Sequence, residues 1–236
     1  MTRIIKFYPG EYFHTYNRGI NKMSIFNSKY DYQRFEELLY TTNSKITKKL
    51  SDIRGTKPQS PHPVWTEERG ETLVDIGAYC LMPNHFHILI KSKNEKDTAL
   101  FFQRLQMSHS KYFNKKNNRT GVLFQGKIKS EHVISNEYLK YLFAYIHLNP
   151  VKLIQKDWKE SGIKNQGEAK KYLYSYEYSS FLCFLTEQPK SSILNFSVFP
   201  QYFENREDFK KHIFEWISTT PLSTPGVDKV GASKIV

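Results

Sequence analysis

Two neighbouring apolar segments constrain the fold of this 236-residue sequence more than any other feature. A continuous apolar run spans residues 73–82, Pro83-Asn84 interrupts it, and Phe86 and Ile88 then alternate with His85 and His87. Runs of this length around a short break are typical of two adjacent antiparallel strands. Because side chains i and i+2 share a face, the second strand is expected to turn Phe86 and Ile88 to the core.

The remaining periodicity predicts a β-α-β-β-α-β-α order. A strand is expected near residues 11–17, a helix around residues 32–39, a basic amphipathic helix over residues 98–116, a strand or strand pair over residues 122–133, and a helix over residues 136–148 capped by Ser135. This order begins like the ferredoxin-like split β-α-β pattern. We therefore expect an α+β fold, with an antiparallel sheet and helices on one face.

Charge points to a polyanionic partner. The formal net charge is +12, and residues 91–140 hold eleven Lys or Arg against four acids. Clustered cations bind phosphates by releasing counterions, so nucleic acid is the first candidate and an anionic membrane surface the second. A solvated basic face explains the charge equally well. The candidate contacts to a DNA backbone are Arg104, Lys111, Lys115, Lys116, Arg119, Lys127 and Lys129.

Cysteine content and hydropathy bear on location. Only Cys80 and Cys183 occur, the first residues hold no long apolar signal segment, and no stretch approaches the ~20 apolar residues of a membrane span. We expect a cytoplasmic protein with no membrane partner.

His85 and His87 are candidate metal ligands. At positions i and i+2 of a strand, two imidazoles can reach one metal ion. Two polar residues on the solvent face of a strand are the alternative, and this pair alone does not distinguish the two.

The helix over residues 136–148 places Tyr145 and Asn149 on one margin of its apolar stripe. There they could supply a nucleophile and an oxygen ligand. A core tyrosine followed by an asparagine that ends the helix before Pro150 is the alternative. His147 points to the opposite side and is expected to be exposed to solvent.

Taken together, these motifs resemble a known family. The run Leu81-Met82-Pro83-Asn84-His85-Phe86-His87-Ile88-Leu89 resembles the His-hydrophobe-His strand of single-tyrosine (HUH) transposases. Tyr145-Ile146-His147-Leu148-Asn149-Pro150-Val151 resembles the tyrosine helix of their branch associated with repetitive extragenic palindromes. Residues 14–19, 122–130 and 178–181 add further similarity, which spans roughly residues 11–185.

The resemblance implies a function. Tyr145 is expected to attack a DNA phosphodiester beside Mg²⁺ or Mn²⁺ held by His85, His87 and Asn149, with water as the alternative third ligand. The product is a 5′-phosphotyrosine that rejoins to another strand without a nucleotide cofactor. Single-stranded or hairpin DNA is the expected substrate. The resemblance leaves two oligomeric states open, a monomer or a homodimer, with the site built within one chain or shared between two.

The resemblance also implies domain limits. Residues 1–185 form the expected catalytic domain and residues 186–236 an extension of unknown role. Residues 43–71 depart from the family; they carry Ser, Lys, Pro and Gly with little periodicity, which predicts a long exposed loop inserted in the domain.

Other functions stay open or are rejected. A non-catalytic DNA-binding module and a metal-dependent nuclease that uses activated water are the open alternatives. A phosphate loop at Gly121–Lys127 is rejected because Ile128 replaces the required Ser or Thr. A zinc site is rejected because Cys80 has no second cysteine at ligand spacing, so Cys80 is expected to be a small buried hydrophobe.

Overall fold

The structure, a computed structural model, describes residues 6–46, 49–54 and 64–218. The strands of this part of the chain are β1 (Tyr12–Arg18), β2 (Val74–Met82), β3 (His85–Ser92) and β4 (Lys129–His132). Its α-helices are α1 (Lys29–Thr41), α2 (Leu50–Arg54), α3 (Glu95–Lys116), α4 (Asn136–Leu148), α5 (Trp158–Ser161), α6 (Gln166–Ser175), α7 (Phe181–Leu185) and α8 (Arg206–Ser218). None of these helices is both long and apolar enough to cross a bilayer.

The four strands form one antiparallel sheet in the order β2-β3-β1-β4. β1 lies between β3 and β4, and α1 and α3 are the crossover helices. This is the topology of the split β-α-β pattern. The predicted α+β fold class is therefore confirmed.

Strand alternation divides the sheet into two faces. One face, which we call the α1/α3 face, carries Phe13, Phe86 and Ile88, and packs on the apolar residues of α1 and α3. The opposite face, the α4 face, carries His14, Tyr16, His85 and His87 and packs on α4 through residues such as Leu89. The two crossover helices share one face as expected, while α4 covers the other.

Helix α4 has the predicted limits. The side chain of Ser135 accepts a hydrogen bond from the backbone N–H of Tyr138, which caps the N-terminus. Pro150 lies in the 3₁₀ turn Asn149–Leu153 that follows the helix. The chain after this turn packs on the side of α4 that faces away from the sheet, through Trp158, Phe181 and Phe209.

That packing overturns the prediction for His147. Its side chain is fully buried, and its ring nitrogens lie 2.8 Å from the carbonyl oxygen of Phe143 and 2.7 Å from Oγ of Ser180. Helical phase correctly separated His147 from Tyr145, since its ring packs on Phe184 and Phe209. The expectation of solvent exposure was wrong because α7 and α8 cover that side of α4.

Two further segments differ from expectation. The strand predicted over residues 122–133 is confined to β4, because Gly121 and Gly126 adopt positive φ and turn the backbone before it. In the segment 43–71, predicted as an exposed loop, Leu50 and Val64 are buried and α2 forms, while residues 47, 48 and 55–63 lie outside the described residues.

The C-terminal extension is described as far as residue 218, and residues 219–236 lie outside the described part. This extension contains α8, which packs on α4, α6 and α7. The boundary at residue 185 stays a prediction.

Candidate functional site

His85 and His87 lie at the start of β3, on the α4 face of the sheet. Their ring centroids are 5.1 Å apart, with the ring planes nearly perpendicular. His87 is buried, whereas His85 is partly exposed. The strand therefore places the two imidazoles side by side, as predicted, at a point that solvent can reach.

The protonation of His85 follows from its neighbour in the chain. Its Nδ1 lies 2.6 Å from Oδ1 of Asn84, an oxygen that can only accept a hydrogen bond. Nδ1 therefore carries the proton of the neutral ring. Nε2 of His85 keeps the lone pair that a metal ion requires.

His87 contacts a second histidine, which lies beside a carboxylate. Nδ1 of His87 lies 2.9 Å from Nε2 of the buried His14, whose Nδ1 lies 3.9 Å from Oε2 of Glu131. His14 lowers the pKa of Glu131, so the carboxylate is charged. The tautomer decides which nitrogen donates in the hydrogen bond between the two histidines. When Nδ1 of His87 donates, Nε2 of His87 keeps the lone pair that a metal ion requires.

Glu131 is itself held in place. It accepts hydrogen bonds from the hydroxyl groups of Tyr16, at 3.0 Å, and Tyr138, at 3.1 Å. His14 lay within the segment that carries the family resemblance, but its contact with His87 and the role of Glu131 were not predicted. β1 and β4 make these contacts by pairing His14 opposite Glu131, and no local motif in the sequence signals that register.

Tyr145 projects from α4 toward these histidines. Its ring lies edge-on to His87, with 5.6 Å between the centroids, and to His14, with 5.7 Å. Only 6% of the residue is exposed, and the ring of Tyr141 stacks beside it. The tyrosine and the histidines therefore meet within one chain, and the choice between monomer and homodimer stays open.

Lys159 contacts the same tyrosine and was missed in the sequence. Its Nζ donates a hydrogen bond to the phenol oxygen of Tyr145 at 2.7 Å and lies 4.2 Å from the centroid of the ring. Burial lowers the pKa of Lys159 to about 8, so the amine is mainly protonated at pH 7. The turn Asn149–Leu153 ends the helical register between the two residues, so periodicity could not connect them.

Asn149 follows α4 directly and is buried. Its amide nitrogen donates to the carbonyl oxygen of Tyr145 at 2.8 Å, which satisfies one of the last carbonyl groups of the helix. This is the helix-ending role considered as the alternative in the sequence. The amide oxygen is a different atom, so the bond does not decide whether Asn149 is also a ligand.

The pocket holds neutral rings beside positive charge. Burial lowers the pKa of His85 to about 4 and also lowers the pKa of His87, with Lys152 and Lys159 adding to both effects. Burial raises the pKa of Tyr145 to about 12. At pH 7 the site therefore combines unprotonated imidazole nitrogens, a protonated phenol and nearby ammonium groups, an environment suited to a phosphate.

The candidate DNA contacts divide into two groups. Lys111, Lys115, Lys127 and Lys129 are exposed, and Lys129 lies on the α4 face, opposite Tyr16 in the β1–β4 register. The other three make contacts within the protein. Arg104 donates to the carbonyl oxygen of Ser44, Lys116 pairs with the buried Asp31, and Arg119 donates to Oδ1 of Asn114.

A family model matches the part of the chain that holds these residues. The family model "Transposase IS200 like" matches residues 62–149, a segment that holds His85, His87, Tyr145 and Asn149. A search of curated proteins finds no match. One similar solved structure is described as a REP-associated tyrosine transposase bound to a REP hairpin, with 12% identity, a TM-score of 0.45, and coverage of 87% of this chain and 92% of that chain.

The family match supports a transposase-like role on DNA. The match covers the histidine motif and the tyrosine helix as far as Asn149. Residues 62–149 are therefore similar to IS200-like transposases, and the predicted resemblance to the single-tyrosine transposases is confirmed.

Proposed function

We propose that the protein is a divalent-metal-dependent DNA strand transferase in which Tyr145 is the nucleophile. The observation that carries this proposal is the edge-on approach of Tyr145 to His87, with 5.6 Å between ring centroids in one chain. A phenol next to two imidazoles, each with an unprotonated nitrogen, combines a nucleophile with metal ligands. The IS200-like family match supports DNA as the polymer on which they act.

The donor atoms fit a divalent metal ion. Among the described residues, no three His, Cys, Asp and Glu side chains lie together as a metal site. A third protein ligand must then come from another residue type. We assign Nε2 of His85, Nε2 of His87 and the amide oxygen of Asn149 as ligands of Mg²⁺ or Mn²⁺, with water or DNA oxygens as the remaining ligands. A bound ion would polarise the scissile phosphate.

The protein residues would carry out the remaining steps. The phenol oxygen of Tyr145 attacks phosphorus, and the 3′ oxygen leaves as a hydroxyl. The resulting 5′-phosphotyrosine keeps the energy of the phosphodiester, so a second 3′-hydroxyl can displace the tyrosine and rejoin the strand. We propose single-stranded or hairpin DNA as substrate and the exposed Lys111, Lys115, Lys127 and Lys129 as contacts to its backbone.

The test uses single strands that carry a hairpin, labelled separately at each end, with Mn²⁺. A 5′-phosphotyrosine keeps the 3′-labelled fragment on the protein through denaturation and releases the 5′-labelled fragment with a free 3′-hydroxyl. We expect this adduct in the wild type and none in Tyr145→Phe. Tyr141→Phe, which changes the stacked neighbour on the same helix, is the matched control and should keep the adduct.

Other results would refute the proposal. Cleavage without an adduct would identify a nuclease that uses activated water, and binding without cleavage on any hairpin would identify a DNA-binding module. The adduct should also disappear with a chelator and return with Mn²⁺ or Mg²⁺; formation without a metal ion would remove the ligand roles of His85 and His87.

A further inference from the structure

A lysine from outside the matched family segment contacts the proposed reacting atom. Nζ of Lys159 lies 2.7 Å from the phenol oxygen of Tyr145, and it also lies above the ring, 4.2 Å from its centroid. A single amino group thus covers both the oxygen and the face of the tyrosine. No histidine ring nitrogen of the site is hydrogen-bonded to this oxygen among the described residues.

Packing and hydrogen bonds hold in place the turn that carries Lys159. Trp158, the preceding residue, is 1% exposed and packs with Leu148 and Val151 at the end of α4. Across the same turn, the side chain of Gln155 donates to the carbonyl oxygen of Gly162 and accepts from the backbone N–H of Lys164. These contacts fix the backbone of α5 relative to α4, so the approach of Lys159 to Tyr145 is built into the packing.

We propose that Lys159 is a catalytic residue, whose ammonium group orients the phenol oxygen of Tyr145 and stabilises the negative charge on it in both strand cleavage and rejoining. In cleavage, the bond between this oxygen and phosphorus forms while the bond to the 3′ oxygen breaks; the phenol loses one proton and the 3′ oxygen gains one. Rejoining is the reverse. This inference rests on the proposed function.

The phenol oxygen of Tyr145 reacts in both cleavage and rejoining. The tyrosine oxygen carries partial negative charge both as attacking group and as leaving group. A preorganised donor directed at such an oxygen typically contributes about 10²–10³-fold in rate. A cation on a fixed turn meets this description, since it needs no rearrangement as the charge develops.

The experiment compares Lys159→Met, which removes the charge at similar length, with Lys159→Arg, which keeps it. Lys156→Met, at an exposed position in the same turn, is the matched control. Single-turnover adduct formation at saturating DNA gives the rate, DNA titration gives Kd, and addition of a strand with a free 3′-hydroxyl to isolated adduct gives the rate of rejoining.

We expect Lys159→Met to slow both cleavage and rejoining by about 10²-fold or more, with Kd changed less than about threefold, and Lys159→Arg to recover at least about tenfold. Lys156→Met should match the wild type. If Lys159→Met does not fold, Lys159→Gln replaces it in the same comparison.

Three results would overturn the inference: a Lys159→Met rate within about threefold of the wild type, a loss confined to Kd, or a loss that arginine does not restore. A wild-type protein that forms no adduct would instead refute the proposed function itself. The two failures are therefore distinguishable.

Discussion

The two faces of the sheet are both covered by helices, but their side chains differ in chemistry. On β3, Phe86 and Ile88 face α1 and α3 within an apolar cluster, whereas His85 and His87 face α4. On β1, Phe13 belongs to the first face and His14 to the second. Because strand residues alternate, one short sequence supplies both a core and a site, and substitutions one residue apart should have different consequences.

The largest expected effects come from a pair of substitutions on β3. Ile88→Ala should destabilise the protein by about 2–5 kcal/mol, because it leaves a cavity on the α1/α3 face. His85→Ala should leave stability nearly unchanged, since His85 is partly exposed, but should slow adduct formation by at least about 10²-fold through loss of a proposed metal ligand.

Urea unfolding and single-turnover adduct formation, measured on both variants, check this prediction. Ile88→Ala is assayed well below its unfolding transition, where adduct formation should stay within about threefold of the wild type. A His85→Ala protein that forms adduct at the wild-type rate would remove the functional difference between the two faces.

The same contrast shows what could be predicted from the sequence. The alternation of Phe86 and Ile88 with the two histidines predicted which residues face the core, and Ser135 and Pro150 marked the limits of α4. These are local signals. The burial of His147 and the contact of Lys159 with Tyr145 depend on how chain segments after residue 150 fold back on α4, and no pattern within α4 contains that information.

On the α1/α3 face, the buried His109 predicts that stability depends on pH. His109 is fully buried there, with Nε2 2.8 Å from the carbonyl oxygen of Ile25 and rings of Phe26 and Phe35 beside it. Burial lowers its pKa to about 4 from an ordinary value of 6.5. The folded state therefore binds this proton less readily than the unfolded state does.

The sign of the effect follows from that direction. The contribution of His109 to stability is fully present above pH 6.5 and is lost as the pH falls from 6.5 toward 4. The loss should reach about 2–3 kcal/mol. His109→Met loses the hydrogen bond, so its stability at pH 7 should be lower than that of the wild type. Because methionine does not titrate, the stability of this variant should decline less steeply between pH 7 and pH 4.5. Urea unfolding at both pH values measures this, and equal slopes would contradict it.

The smallest predicted effect separates the two faces of β1. His14 fixes the ring of His87 on the α4 face, and partners of this kind typically contribute about 10–100-fold to metal affinity. In His14→Ala, the Mn²⁺ concentration for half-maximal adduct formation should rise by about that factor. Thr15→Val, one residue along, removes the hydroxyl that donates to the carbonyl oxygen of Ile88 and should cost about 1 kcal/mol of stability.

Thr15→Val should therefore leave the Mn²⁺ dependence unchanged, which makes it the matched control for His14→Ala. Glu131→Gln keeps the shape of the carboxylate but not its charge, so it should shift the Mn²⁺ dependence in the same direction as His14→Ala by a smaller factor. A shifted Mn²⁺ dependence in Glu131→Gln, with an unchanged one in His14→Ala, would mean that Glu131 acts on the site directly. In that case the contacts from Glu131 through His14 to His87 would not orient the metal ligand.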